Sequence, residues 1–122
     1  MALPVVVADD SALARKILIN ALPEDWDIEI HQASSGAQAL EHYHEGRAAV
    51  MFLDLTMPDL DGYQVLAQLK REDLNVFVIV VSADIQPGAV ERVKQLGAIA
   101  FVKKPASADK LVPILKEYGL YE

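Results

Sequence analysis

Short runs of β-branched and other apolar residues alternate along this chain with longer stretches whose apolar positions return every three to four residues. That alternation is what a parallel sheet with crossover helices requires, and five strand–helix units fit. Strands are expected at Pro4 to Ala8, Asp27 to Gln32, Ala49 to Leu53, Val76 to Val81 and Ile99 to Val102. Three of them are almost wholly apolar: Val5-Val6-Val7, Val50-Met51-Phe52-Leu53 and Val76-Phe77-Val78-Ile79-Val80-Val81. A strand of that composition has no face to offer water, so these three are expected at the centre of the sheet with helices on both sides. Asp27-Ile28-Glu29-Ile30-His31 instead alternates polar and apolar residues, the pattern of a strand at a sheet edge.

Helices are expected after Ser11, Ser35, Asp61, Gln86 and Ser107, several of which are N-cap residue types, with Pro87 suited to a first helical position. Gly46, Gly97 and Gly119 fall where C-terminal caps belong. No linker, repeat or low-complexity stretch marks a second unit, so a single domain over residues 1–122 is expected. With 52% apolar residues the chain can bury a core of its own. A net charge of -7 repels a nucleic-acid backbone, so direct nucleic-acid binding is not expected. The absence of cysteine excludes disulfides and thiolate metal sites. Met1 to Ala8 lacks a positive flank and runs straight into Asp9 and Asp10, which fits neither a signal peptide nor a membrane span. A soluble, cytoplasmic protein without membrane insertion is the expectation. Periodicity leaves the strand order open, but doubly wound sheets place ligands at the carboxyl ends of their strands.

Those ends carry Asp9 and Asp10 after the first strand, Asp54 after the third, Ser82 after the fourth and Lys104-Pro105 after the fifth. Carboxylates ending two adjacent inner strands repel one another, each close pair by about 4 kcal/mol at an effective dielectric of 20. A divalent cation with oxygen preference relieves this. Mg²⁺ fits because it needs few carboxylates and keeps waters or substrate oxygens as its other ligands.

The stretches Val7-Ala8-Asp9-Asp10-Ser11, Leu53-Asp54-Leu55-Thr56-Met57-Pro58-Asp59-Leu60-Asp61-Gly62, Val81-Ser82-Ala83 and Lys104-Pro105 together resemble the receiver domains of two-component response regulators. The resemblance spans nearly the whole chain. It implies a flavodoxin-like α/β fold, a doubly wound five-stranded parallel sheet in the order 2-1-3-4-5 with five helices. It also implies Asp54 as phosphoryl acceptor and metal ligand, Asp9 and Asp10 as metal ligands together with the backbone carbonyl of Thr56, and Mg²⁺ as cofactor. Ser82 and Lys104 would hold phosphoryl oxygens, with Lys103 as the rival for the ammonium role. Ser82 and Phe101 would form the switch. The implied function is that of a stand-alone, chemotaxis-regulator-like phosphoacceptor in a two-component or phosphorelay pathway, not an enzyme with an independent substrate. A histidine kinase or phosphotransfer protein would donate beside the first helix, near Ser11, Ala12 and Arg15. A downstream protein would read the face of the fourth helix, fifth strand and fifth helix, including Val90, Lys94, Phe101, Lys103 and Leu111.

Plainer readings stand beside these. Acids before a helix are favoured by its dipole whether or not metal binds. Asp59, Asp61 and Gly62 read as turn and capping residues, Tyr118 and Tyr121 as terminal packing groups, and Phe101 equally as a core aromatic. His42 and His44 are two apart on an expected helix and share no face, which speaks against a metal role for His31, His42 and His44. A Mg²⁺-dependent aspartate-nucleophile phosphohydrolase would want a second acid where Thr56 stands. A flavin module would want a glycine-rich phosphate loop in place of Asp9-Asp10-Ser11-Ala12. A degenerate receiver used as a constitutive binding module would have lost acceptor-site residues, and none is missing. Thr56 and Asp84 flank the expected path of attacking water, and Ile85 with the loop before Pro87 is a candidate moving part.

Overall fold

The computed structural model describes residues 2–83 and 86–122. Asp84 and Ile85, connected above with phosphoryl lifetime and loop movement, lie outside them. Five strands and five helices alternate: β1 Leu3–Ala8, α1 Ala12–Ala21, β2 Ile28–Ala33, α2 Gly36–His44, β3 Val50–Leu53, α3 Gly62–Arg71, β4 Phe77–Ser82, α4 Ala89–Gln95, β5 Ala100–Lys103 and α5 Ala108–Glu117. All pairings are parallel and the order is β2-β1-β3-β4-β5. The apolar strands β1, β3 and β4 are the central three, and the alternating strand β2 lies at an edge.

Strand periodicity divides the core into two layers. Val6, Ala8, Met51, Leu53, Val78 and Val80 face one side, where they meet Ala39 of α2, Leu66 and Leu69 of α3 and Val93 of α4. Val5, Val7, Val50, Phe52, Ile79 and Val81 face the other, against Leu18 of α1 and Leu111 and Leu115 of α5. Leu111 is fully buried there. It cannot belong to the outward-facing surface expected to include it, because a helix anchored to this sheet must spend its i, i+4 pair on the core.

Ser11 and Ser35 cap α1 and α2 through their hydroxyls, and Asp61 opens α3 with a full capping box to Gln64. Gly46, Gly97 and Gly119 each follow a helix with positive φ, as C-terminal caps. The start of α4 departs from expectation. The helix begins at Ala89, not at Pro87, because Gly88 sits at φ 85° and ψ -6°, and the Ala89 N–H bonds the Gln86 carbonyl at 3.2 Å. Pro87-Gly88 is thereby the central pair of a type II turn, which wants proline first and a positive-φ residue second.

Candidate functional site

Each strand that ends on a chemical group holds that group with one hydrogen bond more than the strand itself contains. The Asp9 N–H donates to the Ala33 carbonyl at 3.0 Å, the Asp54 N–H to the Ala8 carbonyl at 3.0 Å and the Lys104 N–H to the Ser82 carbonyl at 2.9 Å. These residues are therefore placed by the sheet rather than by loops, and rigid elements hold a constellation better than loops do. Among the described residues the buried polar or charged ones are Asp9, Asp54 and Ser82, which are 6%, 5% and 1% exposed. All three stand at the carboxyl end of the sheet. Burying such groups costs free energy, so their concentration at one spot points to function rather than to fold.

Asp10 is exposed, yet one carboxylate oxygen from each of Asp9, Asp10 and Asp54 lies within 4.8 Å of the other two. Lys104 Nζ is 2.7 Å from Asp9 Oδ2 and 3.6 Å from Asp54 Oδ1. Burial pushes the Asp54 carboxyl above its ordinary value, and the Asp9 charge adds to this; Lys104 and the amides of Leu55 and Thr56 work in the opposite direction. The Leu55 N–H donates to Asp54 Oδ1 at 2.9 Å. Burial works to lower the Lys104 pKa, but the hydrogen bond to Asp9 and the fields of Asp54 and Asp9 outweigh it and raise it. Three carboxylates against one ammonium leave a formal charge of -2 (-3 + 1). That is the charge one hard dication carries with opposite sign, and the donors are all oxygen, so the residues present fit Mg²⁺.

Phe101 is half-buried and packs with the layer containing Leu66 and Val93. Lys103 is exposed and lies opposite Ser82 in the β4–β5 register, while Lys104 turns in to the acids. Thr56 is exposed. His42 and His44 take different partners, Gln32 and Glu72.

Several supporting groups escaped the sequence. The Arg15 guanidinium donates to the Asp9 carbonyl at 2.6 Å and to Gln32 Oε1 at 2.8 Å, pinning the loop after β1 to β2. The Asp59 carboxylate accepts from the Gly36 and Ala37 N–H groups at 3.0 and 2.9 Å, so it caps α2 across the fold rather than its own helix. Gly62 lies so near the acceptor loop that a Cβ on it would stand 2.5 Å from the Asp54 carbonyl oxygen. These are contacts between distant segments, and only the Ser35-Gly36 and Asp61-Gly62 dipeptides hint at them. A cavity of about 240 Å³ also opens beside Asp9, Asp54 and Lys104, walled by Val7, Phe52, Ile17 and Leu18.

A family model described as the response regulator receiver domain matches residues 5–116. The chain is 34% identical over 116 residues to the chemotaxis protein CheY of Listeria monocytogenes, a match covering 94% of this chain and 97% of that protein. Among solved structures it resembles the signal receiver domain of the response regulator NarL from Mycobacterium tuberculosis, with a TM-score of 0.84 and 31% identity over 96% of this chain and 95% of that one. It also resembles a chain of the CheX–CheY–BeF3–Mg complex from Borrelia burgdorferi, with a TM-score of 0.82 and 27% identity over 94% of this chain and 87% of that one.

Proposed function

The chain belongs to the response regulator receiver domain family of two-component signalling, and from that premise we propose that Asp54 accepts a phosphoryl group from a phosphohistidine donor in the presence of Mg²⁺. The observation that carries this reading is the Asp54 carboxylate, buried at a strand end, within 4.8 Å of two further acids and 3.6 Å from an ammonium. An Asp54 oxygen attacks phosphorus as the P–N bond to the donor imidazole breaks; the electron pair of that bond leaves with the nitrogen, and an acyl phosphate forms on Asp54. Asp9, Asp10, Asp54 and the Thr56 carbonyl would hold the dication. When bound, Mg²⁺ supplies positive charge against the phosphoryl oxygens and lets the acids stand together.

Lys104 is already charged and already at the acids, so it needs only to exchange carboxylate oxygens for phosphoryl oxygens. Ser82, buried one strand over, offers a hydroxyl at the same end of the sheet. Withdrawal of Ser82 toward the phosphoryl group would free space at the end of β4 for the half-buried Phe101 ring, coupling chemistry to packing. The donor docks beside α1, near Ser11, Ala12 and Arg15, where Leu13 and Ile17 are exposed and Ile17 lines the cavity at the acids. The output face is formed by Val90, Lys94, Phe101 and Lys103; Leu111 supports it from within the core. Signal leaves the receiver domain by protein contact, in the cytoplasm, and no external substrate is turned over.

Incubation with Mg²⁺ and acetyl phosphate, read by intact mass, should add one phosphoryl group to the wild type and none to Asp54→Asn. Lys104→Ala should still be modified while its amide spectrum fails to shift with beryllofluoride. A normal shift in that variant would remove Lys104 from the switch, and labelling of Asp54→Asn would move the acceptor elsewhere.

A further inference from the structure

The core layer under α1 and α5 is left unfilled beside the acids, where the cavity of about 240 Å³ lies. Of the thirteen described residues that line it, ten are apolar, and the other three are Asp9, Asp54 and Lys104. Val7, Phe52 and Val81 come from three neighbouring strands and share one face of the sheet. On α1 the lining residues Ala14, Ile17 and Leu18 have the i, i+3, i+4 spacing of an inward helix face, but the first of them is alanine. Across the cavity stands Ala106, two residues before α5. These two small side chains leave a space that a leucine at either position would enter.

Protein interiors pack closely, and voids much larger than a water are few, so a space of this size is suited to an occupant. An apolar cavity of about 150 Å³ stays dry and takes benzene. One of about 240 Å³ therefore admits a fused or substituted ring. The polar corner sets the rest of the chemistry. Asp9 Oδ1 accepts the Ser11 N–H at 2.9 Å, Asp9 Oδ2 has Lys104 Nζ at 2.7 Å, and Asp54 Oδ1 accepts the Leu55 N–H at 2.9 Å. The donors there are committed, while each carboxylate oxygen keeps lone pairs. Two carboxylates against one ammonium leave a formal charge of -1 (-2 + 1), which repels a ring that carries a carboxylate or phosphate. A cationic ring would have to compete with the dication that the same acids fit. A neutral ring with a hydrogen-bond donor meets neither obstacle.

We propose that this cavity binds a small neutral aromatic molecule, its ring against Val7, Leu18 and Phe52 and one N–H or O–H donor on a carboxylate oxygen of Asp9 or Asp54. Asp54 and Lys104 are walls of the cavity, so the occupant sits against the groups assigned above to phosphoryl transfer. Binding itself does not require that transfer.

The test titrates the full chain with indole, in buffer free of Mg²⁺ and of phosphodonor, and follows the side-chain methyl groups by ¹H–¹³C NMR. The signals of Val7, Leu18 and Val81 should shift along one saturable curve, while those of Leu66 and Val78, in the layer on the other face, stay in place. Benzofuran has the same shape with an acceptor in place of the N–H, and it should bind roughly threefold more weakly or worse. Ala14→Leu should abolish the shifts while keeping the amide spectrum of a folded protein. Ala106→Leu fills the cavity from the other wall if the first variant loses structure, and the comparison of indole with benzofuran needs no substitution. Shifts spread over both layers, absence of shifts, equal binding of benzofuran, or wild-type affinity in a folded Ala14→Leu would overturn the site. None of these outcomes touches the labelling of Asp54 by acetyl phosphate, so the two readings fail separately.

Discussion

Asp54 is a carboxylate whose surroundings oppose its charge, chiefly through burial and then through Asp9, and Lys104 with two amides offsets this only in part. Its folded-state pKa is raised, so between the ordinary value of 3.8 and the raised one the folded state binds more protons than the unfolded chain. Stability therefore falls as pH rises through that window, and the penalty is fully present above it. Asp54→Asn should accordingly be the more stable protein at pH 7 without Mg²⁺, on the order of 1 kcal/mol, with the gain shrinking on acidification below the window. Thermal melts of both proteins at pH 7 and pH 3.5 check the sign: a gap that widens in acid would contradict the account. Adding Mg²⁺ should close the gap from the other side, because it stabilises the protein that has the full set of acids. The lysine choice was also made at this scale. Lys103 and Lys104 are adjacent and chemically identical, and strand alternation puts one outside and the other beside Asp9.

Two short elements set the acceptor loop in place. The Asp61–Gln64 capping box opens α3, and the Gly62 N–H donates to the Leu55 carbonyl at 2.9 Å, tying the helix start to the residue after Asp54. Asp61→Ala should cost about 1 kcal/mol, the usual worth of an N-cap side chain, in denaturant melts. Gly62→Ala should cost more, about 1–3 kcal/mol, because its Cβ would meet backbone at the Asp54 carbonyl rather than a side chain that can turn away. It should also slow phosphorylation by acetyl phosphate; unchanged labelling in a folded Gly62→Ala would separate the helix start from the acceptor. At α4 the proline–glycine pair produced a turn where a helix start was expected. Gly88 at positive φ outranked the preference of proline for a first helical turn.

For the whole molecule the decisive arrangement is a sheet with a buried layer on each face and its chemistry at one end. Leu111 belongs to the layer under α1 and α5, so Leu111→Ala should cost about 2–5 kcal/mol. Val90, 43% exposed on α4, should tolerate Val90→Ala within about 0.5 kcal/mol and show its effect only in partner binding. Urea melts of the two variants distinguish core from face, and similar costs would contradict the burial of Leu111 against the exposure of Val90. At the opposite end from the acids, Trp26 Nε1 donates to the Leu120 carbonyl at 2.8 Å and the Tyr121 hydroxyl to Asp25 at 2.6 Å. Those bonds fasten the last residues to the α1–β2 loop, away from the acids.

What the amino-acid order determined by itself was the set of elements and the polar residues that end them. Apolar runs without a wet face demand central strands, and an acid directly after Phe52-Leu53 is conspicuous by its cost. These are properties of neighbours along the chain. The burial of Leu111, the cap that Asp59 lends to α2, the hold of Arg15 on Asp9 and the meeting of His31 with His42 join segments that are distant in sequence. Periodicity says which face of an element is apolar but not what stands opposite it, and only the packed sheet with its helices in place decided that.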